Sequence, residues 1–263
     1  MAVNVKLKEE TTPTESYKTI KTILVSQPKP ERSPYYELEE EYNLQIDWRP
    51  FIHVEPVESK EFRKQKVYIK DYTAIILTSK NAVDHYFRVC EENRVKIDPD
   101  MKYFCLTESI ANYLQKFIIY RKRKVFFGKR TILDLKPALT KHKKKEKFLL
   151  PCSNLGAKQV CEFLDANGFD WRESMMYKTV SSDLSDLDDV TYDVLVFFSP
   201  LGIKSLFENF PDFKQNETRF AVFGNSTTKA TEDHGLTVNI KAPAPETPSM
   251  TAALRNYLKQ SNV

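Results

Sequence analysis

Glycine is scarce in this chain. Its six occurrences, at positions 128, 156, 168, 202, 224 and 235, cannot be assembled into a G-x-G-x-x-G turn or a G-x-x-x-x-G-K-[ST] loop. Neither a dinucleotide fingerprint nor a Walker A phosphate loop is present. Cysteine is also sparse, and Cys90, Cys105, Cys152 and Cys161 form no C-x-x-C pair. They read as reduced, buried thiols and not as a disulfide framework or a zinc knuckle. The four histidines, His53, His85, His142 and His234, are scattered without ligand spacing, so no metal site is expected. No apolar run approaches the roughly 20 residues of a membrane helix. The opening segment MAVNVKLKEETTPTESYK has no apolar signal core. Residues 1–20 therefore read as a disordered tail on a cytoplasmic protein.

Charge of either sign is not in large excess: 40 Lys and Arg against 36 Asp and Glu leave a net +4. The basic residues gather in YRKRKVFFGKR (120–130) and KHKKKEK (141–147). Solvated surface is the plain reading of both runs, and attraction of a polyanionic ligand is the alternative. A nucleic-acid partner is not expected, because neither a strong basic excess nor a recognisable module accompanies them.

What the chain does have is alternation. Short continuous apolar runs, such as TILVS, TAIIL, KFLL and VLVFF, alternate with amphipathic stretches. Strands of that kind are buried on both faces, as in a parallel sheet covered by helices. One unit is written twice: DYTAIILTSKNAVDHYF from Asp71 and TYDVLVFFSPLGIKSLF from Thr191, 120 positions apart. With that shift Tyr72 meets Tyr192, Ser79 meets Ser199, Val83 meets Ile203 and Phe87 meets Phe207. About ten strands and a similar number of helices exceed one small doubly wound sheet, and the repeat supports two similar α/β domains.

In open α/β sheets ligands sit beyond the carboxyl ends of the strands. Those ends here carry Ser79, Ser153–Asn154, Ser199 and Asn225–Ser226–Thr227, each before a predicted helix. A helix amino end offers free N–H groups and partial positive charge to a carboxylate or phosphate. A hydroxyl at that place either caps its own helix or meets a ligand. Four such ends suggest an anionic ligand between two lobes. No nucleophile–base pair and no paired acids stand out.

The segments AIILTSKNAV (74–83), PCSNL (151–155) with ESMMYKTV (173–180), VFFSPLGIKSLF (196–207) and FAVFGNSTTKA followed by HGL (220–236) together resemble the uroporphyrinogen-III synthase family. The likeness runs from about Lys21 to the carboxyl terminus. Asn225 stands where that family commonly has proline after the glycine, and Ile110 where a threonine is common.

The resemblance implies two doubly wound parallel-sheet domains joined by a two-stranded antiparallel linker, with a cleft between them. Residues 21–50 with 182–263 would form a discontinuous domain and 54–174 an inserted one, with linker strands at 49–56 and 174–182. It implies cyclisation of hydroxymethylbilane, an octacarboxylate linear tetrapyrrole, to uroporphyrinogen III, with inversion of the last ring, loss of water and no cofactor. Tyr177 would assist departure of the hydroxyl. Ser79, Ser153, Asn154, Ser199, Gly224, Asn225, Ser226 and Thr227 would hold substrate carboxylates. Packing alone is the other reading of Tyr177. The expected protein is a cytoplasmic monomer with no membrane or nucleic-acid partner. A non-catalytic bilobed protein holding a tetrapyrrole or another polyanion is the alternative.

Overall fold

The computed structural model describes residues 17–187 and 191–262. Residues 1–16 of the expected tail lie outside the described residues. Ile20, expected within that segment, is instead buried, and its N–H donates to Asn262 Oδ1 at 2.9 Å.

In chain order the elements are β1 (Thr22–Val25), α1 (Tyr35–Tyr42), β2 (Gln45–Trp48), β3 (Ile52–Pro56), α2 (Ser59–Lys64), β4 (Ala74–Leu77), α3 (Lys80–Glu92), β5 (Lys102–Cys105), α4 (Glu108–Leu114) and β6 (Val125–Phe127). There follow α5 (Lys136–His142), β7 (Phe148–Ser153), α6 (Lys158–Ala166), β8 (Trp171–Ser181), β9 (Val194–Phe197), α7 (Pro200–Asn209), β10 (Arg219–Phe223), α8 (Asn225–Asp233), β11 (Val238–Ala242) and α9 (Met250–Ser261). The first helix begins at Tyr35 with Pro34 in the capping place, while Ser33 Oγ accepts the Tyr35 N–H at 3.3 Å. The segment TILDLKPALTKH is a 3-10 turn over Ile132–Leu135 followed by α5. Pro137 falls in the first turn of α5, where its missing N–H leaves no bond unmade.

The chain divides into two units. One comprises the residues up to Ile52 and from Ser181 onward; the other is His53–Val180. The first unit is a five-stranded sheet in the order β11-β10-β9-β1-β2, and all four pairings are parallel. Alternate residues feed opposite faces, as the two-residue period of a strand requires. Ile23, Val25, Val194 and Val196 pack beneath α1 and α9, while Leu24, Leu195 and Phe197 pack with Ile203 and Leu206 of α7.

The second unit is a six-stranded sheet in the order β3-β8-β7-β4-β5-β6. Its β8-β7-β4-β5-β6 pairings are parallel. Ile75 and Leu77 pack with Val83 and Tyr86 of α3, and Ala74 and Ile76 pack with Leu139 of α5 and Leu164 of α6. At the edge, the Val57 N–H bonds Met176 O. Closer to the chain boundary the Ser182 N–H bonds Phe51 O, so β3 and β8 run antiparallel. The segment 174–182 is not a free linker over its length, because Ser174, Met175 and Tyr177 also pair with β7.

Candidate functional site

In the repeated unit, strand, serine and helix adopt the same local geometry. Ser79 leaves β4 in extended conformation (φ −155°, ψ 168°), and its Oγ accepts the Ala82 N–H at 3.0 Å. Ser199 leaves β9 in the same way (φ −151°, ψ 151°) and accepts the Gly202 N–H at 3.2 Å. Both hydroxyls are caps, and a cap that accepts one N–H keeps its own O–H to donate. At Ser79 that hydroxyl meets the Tyr177 phenol, oxygen to oxygen at 3.2 Å.

Tyr177 reaches Ser79 because β8 is bulged. Cys152 of β7 faces Met175, yet the next residue, Ser153, faces Tyr177, so one extra residue is accommodated on β8. In a regular strand Met176 and Tyr177 would point to opposite faces. Here both sit in the core beneath α3. A bulge re-aims a side chain in this way. Tyr177 is only 6% exposed, and burial raises its phenol above the ordinary value while the Ser79 bond opposes the rise. The group is a protonated donor at neutral pH. On its other side the His85 ring stacks on it, centroids 5.0 Å apart and planes 16° apart.

Ser153 and Asn154 lie at the same end of the second unit. Ser153 Oγ accepts the Leu155 N–H at 3.2 Å. The Asn154 side chain is occupied: its Nδ2 donates to Thr179 O at 3.2 Å and its Oδ1 accepts the Thr179 N–H at 2.8 Å. Through these two bonds it braces β8. The two residues border a cavity of about 480 Å³ that is also lined by Gln65, Arg172 and Glu173. At the end of β5, Thr107 caps α4 by accepting the Ile110 N–H at 3.4 Å, and Ile110 is buried in the core.

In the first unit Gly224, Asn225, Ser226 and Thr227 form the turn from β10 into α8, and Ser199 follows the adjacent strand β9 as the cap of α7. Gly224 has φ 87° and ψ 151°, a region open in practice only to glycine. Its N–H is taken by Ala242 O, so it shapes the turn and donates nothing outward. No side chain caps α8. The first-turn N–H groups of Asn225, Ser226 and Thr227 are the donors a helix start leaves over. Asn225 and Ser226 are exposed, whereas the Thr227 side chain is fully buried and its hydroxyl has no partner. What Thr227 can offer a ligand is its backbone N–H, not its hydroxyl.

Sequence reasoning missed two groups of residues. Gln27 and Lys29, in the β1–α1 loop, line a cavity of about 620 Å³ with Ser26, Phe198 and Ser199. His85 was read only as an isolated histidine; its place one helical turn beyond Ala82 on α3 was the available signal. Most of the basic runs do not join this set: Arg121–Lys124 precede β6 and Lys141–Lys147 precede β7, at the amino ends of those strands, whereas Lys129 and Arg130 follow β6 at its carboxyl end. Lys124 is bound to Asp100 at 2.7 Å. Among the described residues no three His, Cys, Asp or Glu side chains group closely enough to hold a metal ion.

Against known proteins, residues 34–252 match the family model described as uroporphyrinogen-III synthase HemD. The chain is 23% identical over 253 residues to the uroporphyrinogen-III synthase of Chlorobaculum parvum, covering 91% of this chain and 100% of that protein. In fold it is similar to the uroporphyrinogen-III synthetase of Helicobacter pylori, with TM-score 0.59, 17% identity, and coverage of 92% of this chain and 100% of that one. A mutant uroporphyrinogen III synthase from Thermus thermophilus gives TM-score 0.55 at 14% identity, covering 91% of this chain and 99% of that one.

Proposed function

The chain belongs to the uroporphyrinogen-III synthase family, and from that premise we propose how its own residues carry the family's reaction. The activity is that of a cyclising lyase of haem biosynthesis, closing hydroxymethylbilane to uroporphyrinogen III. The bilane also closes without help to the uninverted isomer I. Catalysis therefore requires folding a flexible polyanion into one geometry faster than it closes alone, and orientation is an adequate source of such acceleration. The absence of a strong acid–base pair in the sequence is consistent with that demand.

Substrate carboxylates are held by neutral donors. In the first unit these are the N–H groups of Asn225, Ser226 and Thr227 at the uncapped start of α8, together with the Ser226 and Ser199 hydroxyls. A helix start stabilises an anion through its free donors and its dipole. In the second unit they are the Ser153 hydroxyl and the first-turn N–H groups of α3 beside Ser79, whose own proton is committed to Tyr177. Lys29 and Gln27 add a cationic and an amide donor beside Ser199. Gly224 and Asn154 act by shaping the backbone that presents these groups.

Departure of the hydroxyl rests on Tyr177. The hydroxymethyl C–O bond breaks, the leaving oxygen takes the phenol proton and departs as water, and the proton released when the ring closes and the pyrrole regains its aromaticity returns to the phenolate. Ser79 supports this: its hydroxyl accepts the Ala82 N–H and lies 3.2 Å from the Tyr177 oxygen, and with Ser79 as the donor of that pair the phenol proton is left for the substrate. Negative charge that develops on the phenol is met by the Ser79 O–H and, through it, by the amino end of α3. The Ser79–Tyr177 hydrogen bond is the single observation that carries this assignment, and Tyr177→Phe, assayed for turnover, tests it.

We read the two units as the family's two domains, and the protein as a cytoplasmic monomer that uses no cofactor and has no nucleic-acid or membrane partner. In support, no helix among the described residues is long and apolar enough to cross a membrane. Of the basic runs that a nucleic acid would need, Lys124 is engaged in an ion pair with Asp100.

A further inference from the structure

We propose that His85 is a positioning residue for Tyr177. The inference rests on the role given to Tyr177 above. One face of α3 carries Ser79 at its cap, then His85, Arg88 and Glu92. Ser79 binds the Tyr177 oxygen at 3.2 Å, and the His85 ring lies against the Tyr177 ring with centroids 5.0 Å apart. Hydroxyl and ring are thus held by two residues of the same helix.

The imidazole is itself constrained. Arg88 Nε–H donates to His85 Nδ1 at 3.2 Å. A guanidinium has no lone pair to accept with, so Nδ1 is the bare nitrogen and the ring proton sits on Nε2. Burial and the Arg88 charge hold His85 below its ordinary value, which keeps the ring neutral at pH 7. The same guanidinium donates from Nη2 to Met176 O at 2.8 Å and to Val57 O at 3.1 Å, and from Nη1 to Glu92 at 2.7 Å. Glu92 is steadied by the Ser59 hydroxyl at 2.8 Å. Arg88 therefore grips the carbonyl immediately before Tyr177 directly and its ring through His85. Freed from the stack, a phenol on a bulged strand has other rotamers open to it, and each one moves the donor away from a departing oxygen.

The test is a double-mutant cycle on the full chain with hydroxymethylbilane as substrate. His85→Ala removes the ring from a half-buried helical position that alanine suits well. Turnover is expected to fall about two- to tenfold, the factor an aromatic contact of this kind represents, with KM little changed. His85→Phe keeps a stacking ring and restores most of the turnover; it also serves should the alanine variant fold poorly. In the Tyr177→Phe background, His85→Ala should add no further loss, because the hydroxyl it positions is gone. An equal loss in both backgrounds, full turnover in His85→Ala, or a phenylalanine variant as slow as the alanine one overturns the inference while leaving Tyr177 in place. Normal turnover in Tyr177→Phe alone removes the role of Tyr177, and this inference with it.

Discussion

Replacing Tyr177 by phenylalanine removes one oxygen and leaves the ring against His85. The lost bond is the 3.2 Å contact with Ser79 Oγ, which still accepts the Ala82 N–H and so is not orphaned. The expected stability cost is that of one ordinary side-chain hydrogen bond, about 0.5–1.5 kcal/mol. For a unit of the size of His53–Val180, about 1 kcal/mol corresponds to a melting shift of roughly 2–5 °C. The chemical loss should be larger. A hydrogen bond to a developing charge is worth about 1.5–3 kcal/mol, or roughly ten- to a hundredfold in rate. The assay is the initial rate of macrocycle formation, corrected for spontaneous closure, beside thermal unfolding of the same preparation. Isomer III should remain the enzymatic product, because the residues that fold the bilane are untouched. Turnover within about twofold of the parent, with Tyr177→Ala unfolding early, would refute the reasoning and make Tyr177 a packing residue of β8.

Asn154→Ala should lower stability by about 1–2 kcal/mol, two hydrogen bonds to Thr179 being lost, without raising KM; a raised KM at unchanged stability would show that Asn154 binds substrate. Gly224→Ala places a Cβ at φ 87° and should cost about 1–3 kcal/mol, while also raising KM by shifting the start of α8; urea unfolding and steady-state kinetics read the two effects separately. Acidification should destabilise the second unit through His85 and His142. Burial, aided by Arg88 at the first and Lys102 at the second, puts both folded values below 6.5. A histidine depressed on folding contributes stability that is complete above about pH 6.5 and is lost as pH falls through the folded value. The urea midpoint should therefore fall between about pH 7 and pH 5, and His85→Phe and His142→Phe together should flatten the fall. A midpoint that rises over that range contradicts the assignment.

Much of this was legible in the residues, for reasons of physics. The shift that lays Ser79 on Ser199 works because both units bury a parallel strand on two faces and start a helix from its carboxyl end. A serine there meets the same capping demand each time, with Ala82 and Gly202 as the N–H donors. What could not be read was the destination of individual polar groups. Asn154 and Thr227 have the same composition signal as Ser153 and Ser226, yet one braces Thr179 and the other is buried. The bulge that turns Tyr177 onto α3 leaves no mark in SMMYKTV, because it is settled by pairing with β7 and not by local preference. The Ser79–Tyr177 bond joins residues 98 apart, and the His85 stack likewise joins helix to distant strand. Such contacts belong to tertiary structure alone.

The most direct test of the account is the isomer composition of the product. Purified protein is given hydroxymethylbilane, the uroporphyrinogen is oxidised to porphyrin, and isomers I and III are separated over a range of enzyme concentrations. The account predicts that isomer III rises with enzyme until it displaces isomer I almost entirely, with no metal or nucleotide added. Product that remains isomer I at saturating enzyme would contradict it, and would leave a fold that holds a polyanion without turning it over.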